Sequence, residues 1–349
     1  MKLQGRYLEE FLSGRKNNLD IIRFLAASLV ILSHAYPLTI GHNATEPFGL
    51  FTHSQSTFGS LAVGVFFIIS GFLITQSFDR TKDLVRFSQA RIFRIIPGLM
   101  AVVTISVFIV GPIFTTLNPI EYFTHPQTYD YLRTIFMYPI QYDLPGVFET
   151  NTAPISVNGS LWTLWYEFLF YGVVGLLGAA KLLNKRIVIV SVVASTILFH
   201  FGQGGYYTDL FRYFGMGMLF YLYRARIVQN GWVAFFSFLV VVMSAKLGHF
   251  NYIFPIFGSY FIFYIGYASR ITLQHFGKYG DFSYGIYIYA FPIQQMVVYF
   301  FNNEITPLQN FIISYPITIL FAIASWHLVE KKAMKLRNVV LVKSSMSVQ

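Results

Sequence analysis

Ten apolar stretches, each near the length that crosses a lipid bilayer, limit what this chain can fold into more than any other feature. A bilayer core takes about 20 mostly apolar residues per helix. The stretches fall at 19–36, 61–78, 95–114, 161–180, 187–201, 210–223, 232–245, 252–269, 284–301 and 311–329. Composition agrees, since 55% of the 349 residues are hydrophobic and only 11% are charged, against roughly a quarter charged in soluble domains. The sequence therefore predicts an all-α, polytopic membrane helix bundle of about ten transmembrane helices. It reads as one integral membrane domain over 1–345, without a separate soluble domain. The polar N-terminal tail carries no small-residue cleavage pattern, so the first stretch is read as a retained span.

Sorting the basic residues by loop gives the orientation. Lys2, Arg6, Arg15, Lys16 and Arg23 precede or open the first span; Arg80, Lys82, Arg86, Arg91 and Arg94 follow the second. Further groups follow spans four, six and eight, and the C-terminal tail adds Lys331, Lys332, Lys335, Arg337 and Lys343. All but three of the 25 Lys and Arg fall on one side; Arg133, Arg212 and Lys246 are the exceptions. The positive-inside rule then places both termini in the cytoplasm. Basic residues so distributed explain the net charge of +10 as topology, not as a nucleic-acid surface. There is no cysteine, which removes thiolate nucleophiles, Cys-ligated metals and disulfides, and no permanently bound cofactor or metal is read. The longest loop, 115–160, lies outside by this count. Its piece at 131–140 is too short to span and is expected to lie at the interface or fold back over the bundle.

Ionisable groups inside apolar spans cost about 2.5 to 3.5 kcal/mol on insertion scales, so each is a functional candidate. Asp20, Arg23 and His34 interrupt the first span. Eleven residues separate Arg23 from His34, three helical turns plus about 20°, so they share a face roughly 16 Å apart; a snorkelling arginine and an interfacial histidine are the plainer reading. Ser70 and Gly71 in the second span suit a slender ligand or simply helix packing. Arg91 and Arg94, one turn apart, suit bidentate phosphate capture or lipid-headgroup anchoring. In the segment Asn158-Gly159-Ser160-Leu161-Trp162, followed by Glu167, the carboxylate is the one acidic group well inside an apolar run. It either meets His34, fixing a tautomer suited to general-base work, or holds a neighbouring helix. Tyr36, Trp162 and Tyr166 suit an aromatic belt or sugar stacking.

These pieces in this order resemble the membrane acyltransferase-3 family. The resemblance runs from about Asn17 to Arg337 and rests on Leu19-Asp20-x-x-Arg23 with His34, Phe66-Phe67-x-x-Ser70-Gly71, Arg91-x-x-Arg94 before Pro97, Ser160-Leu161-Trp162 with Glu167 and Phe170-Tyr171, and Ser283-Tyr284-x-x-Tyr287. Two positions depart from the pattern. The chain has Ala290-Phe291-Pro292 where members often carry a His two residues before Pro, and Glu330-Lys331-Lys332 where Glu-Arg-Pro is common.

The resemblance implies an O-acetyltransferase in the bacterial inner membrane, with acyl-CoA, most simply acetyl-CoA, as a cytoplasmic co-substrate. The implied acceptor is a carbohydrate hydroxyl on the outer side, in an O-antigen of lipopolysaccharide, a capsule or an exopolysaccharide. It places the essential pair on Arg23 and His34 and the basic motif on Arg91 and Arg94. The expected catalytic residues are His34 and Glu167; donor-binding residues are Arg23, Arg91, Arg94 and Ser70; Asp20, Ser160, Trp162 and Tyr284 support them. Membrane lipid is a further expected partner, nucleic acid is not. The rival is a transporter or flippase of a lipid-linked saccharide, which would also line a polar path with intramembrane Arg, His and Glu.

Overall fold

The computed structural model describes residues 6–12, 17–153, 156–273 and 275–336. Lys2, Arg15, Lys16, Arg337 and Lys343 of the basic tails, and Pro154 of the long loop, lie outside the described residues. The described chain is almost wholly helical. Its main helices are α1 (Leu19–Ile40), α2 (Phe58–Thr81), α3 (Leu84–Phe114), α4 (Trp162–Ala179) and α5 (Lys185–His200). They continue with α6 (Gly205–Leu222), α7 (Gly231–Leu247), α8 (residues 250–268), α9 (Ser283–Phe300) and α10 (Pro307–Leu336). The sheet is a two-residue pair, β1 (Arg6–Tyr7) antiparallel to β2 (Val228–Gln229).

Each expected stretch coincides with a helix, and five helices are long and apolar enough to cross a membrane: α1, α2, α3, α4 with its leading turn from Gly159, and α10. The others fall short for separable reasons. Helices α5 and α7 have 16 and 17 residues. Residues 250–268 of α8, which include the π-helical stretches Phe254–Gly258 and Tyr264–Ala268, carry Asn251 and four tyrosines. Of the remaining two, α6 carries four tyrosines with Asp209 and Arg212, and α9 carries four tyrosines with Gln294 and Gln295 and is buried along almost its whole length. A helix enclosed by other helices needs partners for its polar groups more than it needs an apolar surface.

One boundary differs from the sequence expectation. Arg86, Arg91 and Arg94 were read as loop residues, yet they stand on the first turns of α3, which begins at Leu84. Asp83 caps it, its carboxylate accepting the Arg86 N–H at 3.0 Å. The charges that signalled a loop are the polar opening of a 31-residue helix.

Contacts divide the chain into two compact units. The first takes the described residues of Met1–Ala26, Ala44–Phe87 and Leu169–Tyr279; the second takes those of Ala27–Asn43, Ser88–Phe168 and Gly280–Gln349. In the first, α2 and α6 touch backbone to backbone. A Cβ on Gly71 would run into the Phe214 carbonyl, and one on Gly217 into that of Ile68. Small residues permit this approach, so the glycine patch of the second span serves packing. Asn18 secures the start of α1, donating to the Ile265 and Ile271 carbonyls at 2.9 and 2.7 Å and accepting from the Leu273 N–H at 2.7 Å.

The second unit is organised on α9. The Gln294 amide donates to the Ile31 carbonyl on α1 at 2.9 Å and to Asn310 Oδ1 on α10 at 3.0 Å. Gln295 donates to the Ala153 and Ser156 carbonyls, both at 2.8 Å, and Asn158 donates to the Ile288 carbonyl at 2.8 Å. The long loop thereby closes onto α9. It contains short helices at Pro119–Thr124 and Pro126–Asp130 and a 3-10 turn at Tyr131–Phe136. That turn stays short of a crossing and leaves Phe136 75% exposed.

Candidate active site

His34 lies six residues before the C-terminal end of α1. Its ring meets Phe291 of α9 edge-on, centroids 5.3 Å apart at 75°. Nδ1 is buried and has no hydrogen-bond partner among the described residues. Phe291 in turn presses on Gly159, where a Cβ would come within 2.8 Å of the phenyl ring. The glycine therefore lets the aromatic ring seat beside the segment that leads into α4.

That segment supplies more polar atoms of the same kind. Ser160 is fully buried, and its carbonyl accepts from the Tyr287 hydroxyl at 2.6 Å. Among the described residues its own Oγ has no partner, and neither has Ser156 Oγ, Gln294 Oε1 or Asn151 Oδ1. A buried polar atom left unsatisfied costs about 1–3 kcal/mol, and such atoms are rare in native interiors. Here they gather on residues flanking Phe291 and on α9 itself, with an imidazole nitrogen among them. The arrangement can exchange protons and hydrogen bonds with a hydroxyl-bearing molecule.

Glu167 sits on α4, half-buried, and its charge acts on the Tyr284 and Tyr287 phenols of α9. Trp162, one helical turn earlier, packs edge-on to Tyr166 at 5.9 Å. Thr163, between them, shares a 2.6 Å hydrogen bond with Tyr287. Ala290 is fully buried, so the position where relatives often carry a second histidine is here closed by a methyl group.

At the N-terminal end of α9 the charged groups are paired, although Trp326 Nε1 there finds no partner among the described residues. Arg94 donates through Nη1 to Glu330 Oε2 at 2.8 Å and through Nη2 to Asp281 Oδ2 at 2.7 Å. Its guanidinium carbon lies 5.4 Å from the Trp326 ring centroid and 5.5 Å from that of Tyr284. The remaining carboxylate oxygens are taken as well. Ser325 donates to Glu330 Oε1 at 3.0 Å, Ser283 donates to Asp281 Oδ1 at 2.6 Å, and the Tyr284 hydroxyl donates to the Ile95 carbonyl at 2.7 Å. Gly280, at φ +152°, allows the turn into Asp281 where a Cβ would strike the Trp326 indole.

Of the residues singled out in the sequence, the second unit thus groups His34 with Ser160 around Phe291, and Arg94 with Tyr284 at the N-terminal end of α9. Arg91 is half-buried, one turn before Arg94 on α3. Trp162 and Glu167 also belong to the second unit, and the first holds Asp20, Arg23 and Ser70. Asp20 lies against the Gly277 backbone, where a Cβ would collide with its carboxylate. Arg23 follows it on α1, half-buried, and Ser70 shares a 2.9 Å hydrogen bond with the Tyr171 hydroxyl. Asp281 and Glu330 went unrecognised as site residues, having been read as polar helix ends. An arginine near a membrane helix demands countercharge, and that demand was the signal available.

Residues 16–327 match the family described as an acyltransferase domain, Acyl_transf_3. The chain is 29% identical over 333 residues to an O-acetyl transferase of Shigella phage Sf6, covering 91% of this chain and 96% of that protein. It is 28% identical over a 369-residue alignment to nodulation protein 10 of Rhizobium leguminosarum bv. viciae, covering 96% and 97%. No solved structure matches it.

Proposed function

Given that the chain belongs to the acyltransferase-3 family and is a membrane-helical O-acyltransferase, we propose that it moves an acetyl group from cytoplasmic acetyl-CoA to a sugar hydroxyl of a cell-surface polysaccharide on the outer side. The O-acetyl transferase relative supports the acetyl group. In this reading the ten helices are ten crossings of a bacterial inner membrane with both termini cytoplasmic, an orientation that the one-sided basic residues support.

The observation that carries the mechanism is His34 Nδ1, buried and without a partner among the described residues, whose ring packs on Phe291, the same ring that meets the segment bearing the equally unpartnered Ser156 and Ser160 hydroxyls. Nδ1 accepts the proton of the acceptor hydroxyl as its oxygen attacks the thioester carbonyl. The tetrahedral intermediate collapses, the C–S bond breaks, and the imidazolium returns the proton to the departing thiolate. This assigns the Nε2–H tautomer to the resting ring. Ser156, Ser160 and Gln294 hold sugar hydroxyls, and Glu167 sets the electrostatics of α4 and α9. With no cysteine in the chain, direct transfer needs no enzyme-bound thioester. Arg91 is assigned to the donor's phosphates, and Arg23 and Ser70 keep the donor-binding roles the family implies. Arg94, already bonded to two carboxylates, is assigned to fixing α3, α9 and α10.

Mass spectrometry of surface polysaccharide from cells lacking the protein tests this. An acetyl ester should disappear, return with wild type, and stay absent with His34→Ala at wild-type protein levels. Loss of whole saccharide units with every ester retained would instead identify a carrier of lipid-linked sugar.

A further inference from the structure

The first unit contains a groove that the acyl-transfer reading leaves without a role. It runs between α5, α6 and the start of α8, with a volume of about 400 Å³. Its walls are side chains such as Val192, Val193, Ile197 and Met216. Val193 and Ile197 are each 51% exposed, on the shorter helix α5, so the groove opens sideways on an apolar flank. The polar group in its wall nearest in kind, Thr196, returns its hydroxyl to the Val192 carbonyl at 2.8 Å.

One lining residue is different. Arg212 is only 1% exposed, although its position suggested a loop cation. It forms an ion pair with Asp209, donates through Nη1 to the Asn251 carbonyl at 2.7 Å, and lies 3.4 Å above the Phe199 ring centroid. Those contacts fix the guanidinium, yet Nε is a buried donor with no partner. Leaving such a donor unsatisfied is costly, and the two hydroxyls in the walls are bonded elsewhere, Thr196 to the Val192 carbonyl and Tyr252 to His200.

From this pairing of an apolar channel with a single buried donor, we infer that the groove is a lipid site that seats one acyl chain of a membrane glycerophospholipid, its ester carbonyl accepting a hydrogen bond from Arg212 Nε. The size falls within the range of ligand pockets, about 300–1,000 Å³. The chemistry excludes the transfer substrates. A saccharide needs many polar partners, and a coenzyme A nucleotide carries several negative charges that one ion-paired arginine does not match. A long hydrocarbon chain with one acceptor oxygen matches both features. A seated chain stabilises the folded unit by mass action.

The test uses the full chain in nanodiscs of phosphatidylethanolamine doped with a phosphatidylethanolamine that carries a diazirine on one ester-linked acyl chain. Crosslinked peptides are mapped by mass spectrometry. Labelling should concentrate on α5 and α6 and fall several-fold in Thr196→Trp, which fills the channel. With wild type, an ether-linked probe lacking the carbonyl should label these helices several-fold less, while labelling of α7 is unchanged. Equal labelling of all apolar helices, or no difference between ester and ether probes in wild type, would reduce the groove to bulk lipid contact and overturn the assignment.

Discussion

The N-terminal end and the middle of α9 use the same helix in different ways. About seven residues, or roughly 10 Å of rise, separate Tyr284 from Phe291. At the first, Arg94, Asp281, Glu330, Ser283 and Ser325 satisfy one another. At the second, where Gln294 still donates to Ile31 and Asn310, His34, Ser156, Ser160 and Gln294 each keep a polar atom without a partner among the described residues. The paired charges define where the helices stand. The unpaired atoms carry a cost recovered only when another molecule meets them, which is how a site for chemistry differs from a site for architecture.

Replacing His34 tests the difference most severely. His34→Ala should lower transfer about 10²- to 10⁴-fold, the usual contribution of a general base, with the unfolding midpoint in detergent unchanged. A matching loss of stability would mean the imidazole belongs to the architecture. Arg94→Ala should do the reverse, costing about 3–5 kcal/mol of stability by leaving the buried Glu330 without its cation, as read from thermal unfolding. Unchanged stability with an elevated KM for acetyl-CoA would show Arg94 to be a donor ligand after all.

A finer comparison sets two neighbours side by side. Tyr287→Phe loses bonds to the Ser160 carbonyl and to Thr163, both 2.6 Å, and should cost about 1–2 kcal/mol. Ser160→Ala removes a hydroxyl without a partner, so stability should hold or rise slightly while KM for the acceptor increases. Smallest is a pH effect in the long loop. Burial holds the Asp143 carboxyl above its ordinary value of 3.8, so the folded loop binds that proton more tightly than the unfolded chain does. Its contribution is complete below the ordinary value and is lost as pH rises through the higher folded one. Once the intrinsic pH dependence of amide exchange is divided out, the protection of the amides near Leu144 should therefore fall slightly from acid to neutral pH in wild type and not in Asp143→Asn.

Helix positions were legible because hydrophobic length dominates a chain with so little charge. The start of α3 was not, because charges there were weighed as loop signals although Arg91 and Arg94 keep a helical spacing. His34 and Glu167 were legible for a related reason: an ionisable group inside an apolar run stands out against its neighbours. Partnerships were hidden. Asp281 and Glu330 lie 187 and 236 residues from Arg94, and no local pattern records which distant carboxylate an arginine will face. Arg212 was misplaced likewise, since nothing local distinguishes a loop cation from one enclosed by Phe199, Asp209 and Asn251.

The reach of the Arg94 pairings also governs how the chain is made. Arg94 leaves the ribosome long before its counterions, so the young helix α3 enters the insertion machinery with a guanidinium that has neither carboxylate. Asp281 arrives with α9, and Glu330 only with the last turns of α10. A nascent chain interrupted before residue 330 thus presents an incompletely neutralised arginine, a mark by which membrane quality control can tell an unfinished copy from a finished one.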